Sequence, residues 1–432
     1  MEVLSGLNPT KILIKKSDLA RVLEEGEKYD EQGVETGWSA NGIIHDNRVY
    51  EIKRIVDAGP NCRREAAAFT IDPDVVSAAL AEDIENNPKT RNLLDGHSHP
   101  FPYPPYPSCI DTAQLRRERE RRPWFCSAIQ SGRNIRFYGL DENGSPARIP
   151  YQVIPDDFRE ENLIARINEI TDHEKLGKKR VVIIGCGSLG AAVVHALAGT
   201  GIKNYILCDM DRLELVNVTR HNGCVYDLGR NKTEILKGYL ESHNPLAYVQ
   251  TVNYDLVKNR ELLRQLVKWS DLVISSSGNP ELAYHINILS VQMKKPAVYG
   301  GIYDKAESAY VFRYEANRGM ACLNCILPLA AAIDNNTIAR KYGLADGELK
   351  QAQGMFADIS IPGSMMAKMA MSIMMEQKKE FNLVRYFSDL AVRRFKVEKK
   401  KLCPTCDYEK WLEEETKNLD KPIQKAVHKN VQ

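Results

Sequence analysis

The sequence predicts an α/β chain of two domains, the second of which has a doubly wound parallel sheet. Length is the first reason, because 432 residues exceed what a single compact core usually organises. The second reason is a buried strand at Arg180–Ile184 that runs directly into a glycine turn and a helix. The third is a polar stretch with prolines between this strand and the residues before it. We therefore expect a first domain, a linker with a helical lead-in, a second domain and a mobile tail, with bounds 1–150, 151–178, 179–415 and 416–432.

Composition narrows the class of protein. Acidic and basic residues nearly balance, at 57 and 59, so the chain has no broad basic field and nucleic acid is not an expected partner. No apolar run is long enough to span a bilayer, and Met1 to Lys16 lack the pattern of an export signal. We therefore expect a cytoplasmic protein without membrane contact, in which the 10 cysteines are reduced rather than paired.

Side chains that bind zinc cluster in the first domain. His97 and His99 are two residues apart, so they point the same way if the segment is a strand, and Asp111 follows shortly after. These three ligands leave a fourth position for water, whose pKa a zinc ion lowers towards roughly 7. Glu35 is the candidate base for that water, and Ser108 is the candidate stabiliser of a tetrahedral intermediate. The pattern predicts a hydrolytic metal site.

In these motifs the first third of the chain resembles the JAB/MPN metalloproteases, with Glu35 upstream, His-x-His-Pro at 97–100 and Ser-x-x-Asp at 108–111. The resemblance implies an α+β domain with a catalytic zinc that trims or deconjugates a ubiquitin-like protein. One departure is that eight residues separate His99 from Ser108, one more than in the family pattern, and five of them are prolines. The alternative is that the two histidines cap a strand or line a polar loop.

A basic run, Arg116–Arg122, follows the metal motif directly. Its alternation of arginine and glutamate predicts a solvated helix face. The alternative is that this face receives an acidic partner surface.

The strand, glycine turn and helix of the second domain are the start of a nucleotide-binding unit. Gly185, Gly187 and Gly190 permit close backbone approach, and the helix N-terminus after them offers unpaired N–H groups to a phosphate. The next strand ends at Asp209, where a carboxylate can accept hydrogen bonds from ribose hydroxyls. These features alone also suit a nicotinamide-dependent dehydrogenase.

Side chains after Asp209 favour a triphosphate instead. Asn217, Arg220 and Lys232 follow closely, together with Asp211. Arg and Lys can neutralise the charge that develops on a leaving pyrophosphate when a carboxylate attacks an α-phosphate. The alternative for Arg220 and Lys232 is ordinary surface charge.

Residues 166–411 resemble the ThiF/MoeB adenylyltransferases, relatives of ubiquitin-activating enzymes, in the glycine turn, Asp-x-Asp, Asn-Val-Thr-Arg, Gly-x-x-Lys and paired cysteine knuckles. The resemblance implies a Rossmann-like domain that uses ATP and Mg²⁺ to adenylate the C-terminal carboxylate of a ubiquitin-like protein. The residues that it places at the nucleotide are Gly185, Gly187, Gly190, Asp209, Asp211, Asn217, Arg220 and Lys232.

The resemblance also implies roles for these residues. Asp209 would hold the ribose, whereas Asn217, Arg220 and Lys232 would hold phosphates, with Arg220 and Lys232 acting in catalysis. A homodimer is implied as well, in which Arg166 would reach the ATP of the neighbouring subunit; the alternative is that Arg166 is an ordinary surface arginine on a linker helix.

Two departures from the ThiF/MoeB pattern bear on activity. Gly278 stands where the family carries an aspartate that helps to hold magnesium, so the metal needs another ligand, for which Asp211 is a candidate. The serines before Gly278 could instead donate hydrogen bonds to phosphate oxygens. No cysteine lies between Cys325 and Cys403, where relatives that form a thioester place their nucleophile. We therefore expect adenylation without a thioester at that position. Among the other cysteines, Cys224 is the candidate nucleophile because it follows Arg220 closely in sequence, and the alternative is that it is a structural residue.

The late cysteines form two Cys-x-x-Cys pairs, Cys322 with Cys325 and Cys403 with Cys406. An all-thiolate set predicts a structural zinc rather than a catalytic one. Between the pairs, the methionine-rich segment Ser364–Met375 predicts a buried helix.

Together the two resemblances imply a bifunctional enzyme of a prokaryotic-type ubiquitin-like protein system, with one catalytic and one structural Zn²⁺, ATP and Mg²⁺. Its expected partners are a ubiquitin-like protein with a tail of small residues and a conjugating enzyme. The alternative is a binding scaffold, in which the extra residue before Ser108 and the loss of an aspartate at Gly278 silence the two sites. A dehydrogenase, the third interpretation, leaves Arg220 and Lys232 without a role.

Overall fold

The computed structural model describes residues 8–66, 68–100, 102–303, 306–326, 354–410 and 412. These residues divide into two compact units, one ending at Leu163 and one beginning at Ile164. Each unit is built on one eight-stranded sheet. The predicted tail, residues 416–432, lies outside the described residues.

The first unit combines ten strands with helices. The strands are β1 (Lys11–Lys15), β2 (Gly37–Ile44), β3 (Val49–Asp57), β4 (Arg63–Glu65), β5 (Ala68–Thr70), β6 (Thr90–Ser98), β7 (Cys126–Ser131), β8 (Asn134–Leu140), β9 (Pro146–Ile149) and β10 (Tyr151–Ile154). The helices are α1 (Lys16–Asp30), α2 (Pro73–Asn86) and α3 (Cys109–Arg121), and α4 (Glu160–Ile164) spans the division between the units.

The main sheet of the first unit is mixed and has the order β10-β1-β3-β2-β6-β7-β8-β9. β1 pairs in parallel with β3 and β10, and β6 pairs in parallel with β7. Apolar side chains from alternate positions, including Ile12, Ile14, Leu94 and Phe137, form its core. Tyr151–Ile154 fell in the predicted linker, yet these residues complete the sheet edge as β10, so the first unit extends past residue 150.

The second unit alternates strands and helices before a run of antiparallel strands. Its strands are β11 (Arg180–Ile184), β12 (Asn204–Cys208), β13 (Tyr248–Val252), β14 (Leu272–Ser275), β15 (Ala297–Tyr303), β16 (Ser308–Tyr314), β17 (Leu383–Phe387) and β18 (Val392–Phe395). Its helices are α5 (His173–Lys178), α6 (Ser188–Leu197), α7 (Lys232–His243), α8 (Arg260–Trp269), α9 (Pro280–Gln292), α10 (Leu323–Ile326) and α11 (Phe356–Met374). Among the described residues of this unit, 3₁₀ segments occur at Leu215–Arg220, Val225–Asp227 and Ala316–Arg318.

The second sheet has the order β13-β12-β11-β14-β15-β16-β17-β18. The strands from β13 to β15 pair in parallel, and their order along the chain, third, second, first, fourth and fifth, is that of doubly wound nucleotide-binding folds. The predicted Rossmann-like sheet is therefore confirmed. β16, β17 and β18 extend it with antiparallel pairs.

The helix that the methionine-rich segment predicted is α11, which begins eight residues earlier than the prediction. Met366, Ala370 and Met374 on it are buried in the core that also holds α6. A Cβ on Gly363 would approach the Cβ of Ala192 to 2.5 Å, so this small residue permits close packing of the two helices. Among the described helices, none is long and apolar enough to cross a membrane.

Candidate functional sites

The glycine turn lies between β11 and α6 at the carboxyl end of the parallel strands. Gly185 has φ +97°, and a Cβ there would lie 2.5 Å from the backbone nitrogen of Ser277. A Cβ on Gly190 would overlap the carbonyl oxygen of Gly185. Gly187 is the N-cap of α6 and has no side chain that could compete for the first N–H groups of the helix. The turn therefore presents backbone donors to an anion.

Asp209 follows β12 and is fixed against this turn. Its carboxylate accepts hydrogen bonds from the backbone N–H groups of Cys186, at 2.7 Å, and Asp211, at 2.9 Å. Burial raises the pKa of Asp209, and these two donors act in the opposite direction. The structure thus places the predicted ribose ligand beside the predicted phosphate-binding turn.

Lys232 and Asp211 form an ion pair at the same end of the sheet. The Lys232 ammonium is 3.0 Å from Asp211 Oδ2, and the Lys232 backbone N–H donates to the Asp211 carbonyl at 3.1 Å. Lys232 is buried at the start of α7, whereas the Asp211 side chain is 56% exposed. A phosphate arriving here would therefore meet a fixed ammonium group whose present partner can turn towards solvent or a metal ion.

Asn217 and Arg220 lie on one 3₁₀ segment, Leu215–Arg220. The Asn217 side chain accepts the backbone N–H of Glu214 at 3.1 Å, which closes the start of that segment. The next residue, His221, has Nε2 at 2.9 Å from the carbonyl of Cys186 in the glycine turn. The segment that carries two predicted phosphate ligands is thus tied directly to the turn.

His221 was not among the predicted site residues. Because its Nε2 faces a carbonyl and its Nδ1 accepts the backbone N–H of Gly223 at 3.0 Å, the ring is neutral and carries its proton on Nε2. Burial lowers the pKa of His221 and favours the same neutral form. Its position directly after Arg220 was the only sequence signal that it belonged to the site.

The segment with the missing aspartate also contacts the glycine turn. Ser276 Oγ donates to the carbonyl of Gly185 at 2.7 Å, so this hydroxyl holds the turn rather than facing open space. A Cβ on Gly278 would have no atom within 4 Å. The position of the missing aspartate is therefore open.

The predicted zinc ligands of the first unit converge on one point. His97 lies on β6 and His99 directly beyond its end, and their Nε2 atoms are 3.1 Å apart. Asp111 comes from the first turn of α3, with Oδ1 at 3.1 Å from His97 Nε2 and Oδ2 at 3.4 Å from His99 Nε2. Ligand atoms of all three lie within 4.8 Å of one another. Two imidazoles and a carboxylate directed at one point fit Zn²⁺ with an open position.

The charges at this cluster are strongly coupled. Burial alone would raise the pKa of Asp111, but hydrogen bonds from His97 and His99 outweigh it and hold that pKa below its usual range. The hydrogen bond to Asp111 raises the pKa of His99.

Glu35 and Ser108 lie at the edges of the cluster. Glu35 precedes β2, is 9% exposed, and its backbone N–H donates to the carbonyl of Glu65 at 2.8 Å. Burial raises its pKa, and the nearby His97 and His99 oppose that rise. Ser108 is the N-cap of α3, where its Oγ accepts the backbone N–H of Asp111 at 3.2 Å. Its hydroxyl proton can still be donated to a ligand.

Four thiols form a third cluster, as the two Cys-x-x-Cys pairs predicted. The sulfur of Cys322 is 3.9 Å from that of Cys325 and 3.7 Å from that of Cys403, and Cys325 is 3.5 Å from Cys406. Such a closed set of thiolates can hold a structural zinc ion. Cys224 lies outside it, is exposed, and donates its thiol to the carboxylate of Asp227 at 3.4 Å.

Comparison with known proteins relates the chain to one family. The model of the ThiF family matches residues 159–406, more than half of the chain. A sulfur carrier protein adenylyltransferase from Thermus thermophilus is 26% identical over 244 residues, which cover 54% of this chain and 84% of the relative. A ubiquitin-like modifier-activating enzyme 5 from Bombyx mori is 24% identical over 243 residues, 52% of this chain and 61% of the relative.

A solved structure shares the fold. The microcin C7 biosynthetic enzyme MccB, in complex with N-formylated MccA, superposes with a TM-score of 0.50 and 23% identity over 59% of this chain and 77% of that one. The family match begins at residue 159, so it does not extend to the histidine cluster of the first unit.

Proposed function

Because this chain belongs to the ThiF family, we propose that its second unit uses ATP to adenylate the C-terminal carboxylate of a ubiquitin-like protein. The observation that carries this proposal is the grouping of Asp209, Asp211 and Lys232 around a glycine turn at one end of a parallel sheet. The names of the relatives support the substrate class, since they include a sulfur carrier protein adenylyltransferase and a ubiquitin-like modifier-activating enzyme.

In the proposed reaction ATP lies on the glycine turn with its ribose at Asp209. A carboxylate oxygen of the substrate attacks the α-phosphorus, a new C–O–P link forms, and the bond from the α-phosphorus to the bridging oxygen of pyrophosphate breaks. Lys232 and Arg220 then neutralise the charge that develops on the pyrophosphate. Bound Mg²⁺ would share that role, and we assign it to Asp211 because this exposed carboxylate already faces Lys232.

We also propose that the second unit works as a homodimer. Large apolar side chains are exposed close in sequence to Asp211, Arg220 and Lys232, and Tyr226 is 92% exposed. The others in this group are Met210, Leu215, Val216, Val225 and Leu228. A second copy of the chain would remove this apolar surface from water. Sedimentation of the full chain tests the proposal, and a monomer at all concentrations would contradict it.

A second activity is proposed for the first unit, a zinc-dependent hydrolase that trims or deconjugates the same kind of protein. The convergence of His97, His99 and Asp111 beside a buried carboxylate favours it. A zinc ion held there would activate a water molecule. In the proposed step the water oxygen would attack the amide carbon while Glu35 takes one of its protons, and the C–N bond would then break as Glu35 passes that proton to the leaving amine. Ser108 would donate its hydroxyl to the tetrahedral oxygen.

Two assays separate the activities. For the second unit, the full chain is mixed with ATP and purified ubiquitin-like proteins of the same cell, and intact mass spectrometry looks for the mass of one added AMP. For the first unit, the same proteins, as precursors and as conjugates, are incubated with the zinc-loaded chain and followed on gels. Bound ATP and bound protein without either product would favour the scaffold alternative.

A further inference from the structure

A loop rich in proline connects two of the clustered ligands. We call residues 102–107 the proline loop. It lies between His99 and Ser108, which is the N-cap of α3. Four of its six residues are proline, which restricts its backbone. A turn within it is closed by the backbone N–H of Tyr106, which donates to the carbonyl of Pro104 at 2.7 Å. The loop therefore has one defined shape between the second and third ligands.

The proline loop contacts the ring of His99. The Nε2 atom of His99 faces Asp111 and His97, at 3.4 and 3.1 Å. The pKa of His99 is raised first by its hydrogen bond to Asp111 and to a smaller extent by one with the backbone of Pro104. Because Nε2 faces Asp111 and His97, we infer that Nδ1 is the ring nitrogen that meets Pro104. An Nδ1–H group that donates to a carbonyl fixes the ring orientation and leaves Nε2 as the lone-pair donor, which is the form that binds a metal.

The proline loop is in turn held by two side chains of β8. The hydroxyl of Tyr138, which is 4% exposed, donates to the carbonyl of Pro105 at 2.7 Å. The guanidinium of Arg136 lies over the ring of Tyr106, 4.6 Å from its centroid. β8 pairs with β7, and β7 pairs with the strand that carries His97. The sheet that carries His97 therefore also carries Tyr138 and Arg136, the two side chains that hold the loop beside His99.

We propose that Tyr138 is a positioning residue of the metal site: through Pro105 it holds the proline loop so that the carbonyl of Pro104 orients His99. The inference rests on the proposed metal-dependent hydrolase. It also accounts for the extra residue between His99 and Ser108, because the loop absorbs that residue in a turn fixed at both Pro104 and Pro105.

Replacement of Tyr138 by phenylalanine tests this proposal. The variant loses only the hydroxyl, so the loop keeps its packing but loses the bond to Pro105. Loss of a direct partner of a metal-binding histidine weakens metal binding by about 10–100-fold. Because Tyr138 contacts the loop and not His99 itself, we expect the affinity for the metal to fall by less, about three- to tenfold.

Tyr50→Phe is the matched control. Tyr50 is also buried in the first unit, and its hydroxyl also donates to a backbone carbonyl, that of Trp124, at 3.0 Å. Each variant loses a buried hydrogen bond to a backbone carbonyl, and Tyr138→Phe also loses the hydrogen bond between Tyr138 and Arg136, so its stability is expected to fall somewhat further than that of Tyr50→Phe. Only Tyr138→Phe should change the metal site.

Cobalt titration of the full chain gives the readout without any substrate. Co²⁺ bound by nitrogen and oxygen shows visible bands alone, whereas Co²⁺ at the four cysteines adds thiolate charge-transfer bands, so the two sites are followed separately. We expect the affinity of the histidine site to fall in Tyr138→Phe, with Tyr50→Phe and the cysteine site unchanged. Equal affinities in the two variants and wild type would overturn the positioning role alone. A wild-type chain that binds Co²⁺ only at the cysteines would overturn the hydrolase proposal itself.

Discussion

Glu35 is a single carboxylate whose surroundings suit a base. It is buried next to two histidines, and burial raises its pKa above the ordinary 4.5. We expect Glu35→Gln to retain zinc, because the three proposed ligands are untouched, and to lower cleavage by about 10²–10⁴-fold. Cleavage is measured on gels and zinc by metal analysis of the same sample. Unaltered cleavage would remove Glu35 from the mechanism.

Gly278 is a residue whose replacement should increase activity. The position has room for a side chain, since a Cβ would have no atom within 4 Å, and it lies two residues after Ser276, whose hydroxyl holds the glycine turn. We expect Gly278→Asp to raise ATP–pyrophosphate exchange by supplying a second carboxylate for Mg²⁺. Gly238→Asp is the control, because Gly238 is an equally open glycine on α7. A rise in both variants or in neither would contradict the expectation.

At the scale of elements, an ion pair joins the beginnings of two parallel strands. Arg180 at the start of β11 binds Asp271, the residue before β14, through Nε at 3.1 Å and Nη2 at 2.9 Å. Burial alone would raise the pKa of Asp271, but the hydrogen bonds from Arg180 outweigh it and lower that pKa. The ion pair therefore contributes its full stabilisation at pH values above 3.8, the pKa of Asp271 in the unfolded chain. The contribution is lost as the pH falls through the lower pKa of Asp271 in the folded protein.

We expect Asp271→Asn to lower the free energy of unfolding by about 1–2 kcal/mol at pH 7, allowing for partial solvent screening. The difference from wild type should shrink as the pH falls below about 3.8, where the unfolded wild-type chain protonates Asp271, and it should be smallest below the lower pKa of the folded protein, where the folded chain does so too. Urea unfolding at a series of pH values measures it, with Asp389→Asn on an exposed turn as the control. A difference that does not change with pH would contradict the assignment.

The cysteine cluster connects two distant segments of the second unit. Cys322 and Cys325 flank the start of α10, whose Leu323 N–H donates to Asn287 at 2.9 Å, and Cys403 and Cys406 come from beyond β18. A zinc ion there would stabilise the folded unit, because the unfolded chain does not offer the four thiolates together.

We expect a chelator to lower the unfolding temperature of the second unit by roughly 5–10 °C, the shift for a few kcal/mol in a domain of this size. His97→Ala serves as the background, so that metal at the histidine cluster does not contribute. Cys403→Ser should show the lowered temperature without chelator and no further change with it, whereas Cys224→Ser should behave as wild type. A Cys403→Ser variant that melts like wild type would contradict a structural zinc.

The elements show what the sequence can and cannot predict. The strand, glycine turn and helix at 180–197 were predictable because a buried apolar run and its turn residues are adjacent. β10 was not, because its partner β1 lies about 140 residues earlier and an edge strand of four residues has little pattern of its own. The antiparallel extension β16–β18 was missed for the same reason: its pairing depends on β17, which lies far along the chain.

At the scale of the whole molecule, the spacing of residues in the sequence was enough to predict that the two histidines lie together and that each cysteine pair does. Spacing did not place Glu35, which is 62 residues before His97 and was chosen because the proposed metal site needs a base and Glu35 is a carboxylate beside glycines. His221 was missed because a histidine that fixes a backbone turn has no sequence pattern of its own. The family match confirms the ThiF-like second unit, whereas the JAB/MPN-like nature of the first remains a prediction that rests on its metal cluster.

Adenylation by the second unit is the central claim, and ATP–pyrophosphate exchange tests it most directly. Wild type and Arg220→Ala are compared with each ubiquitin-like protein of the same cell that ends in two glycines. We predict exchange that requires one of these proteins and falls by about 10²-fold or more in Arg220→Ala, as expected when a group that stabilises transition-state charge is lost. No exchange with any of them, although the wild-type chain binds ATP, would contradict the claim.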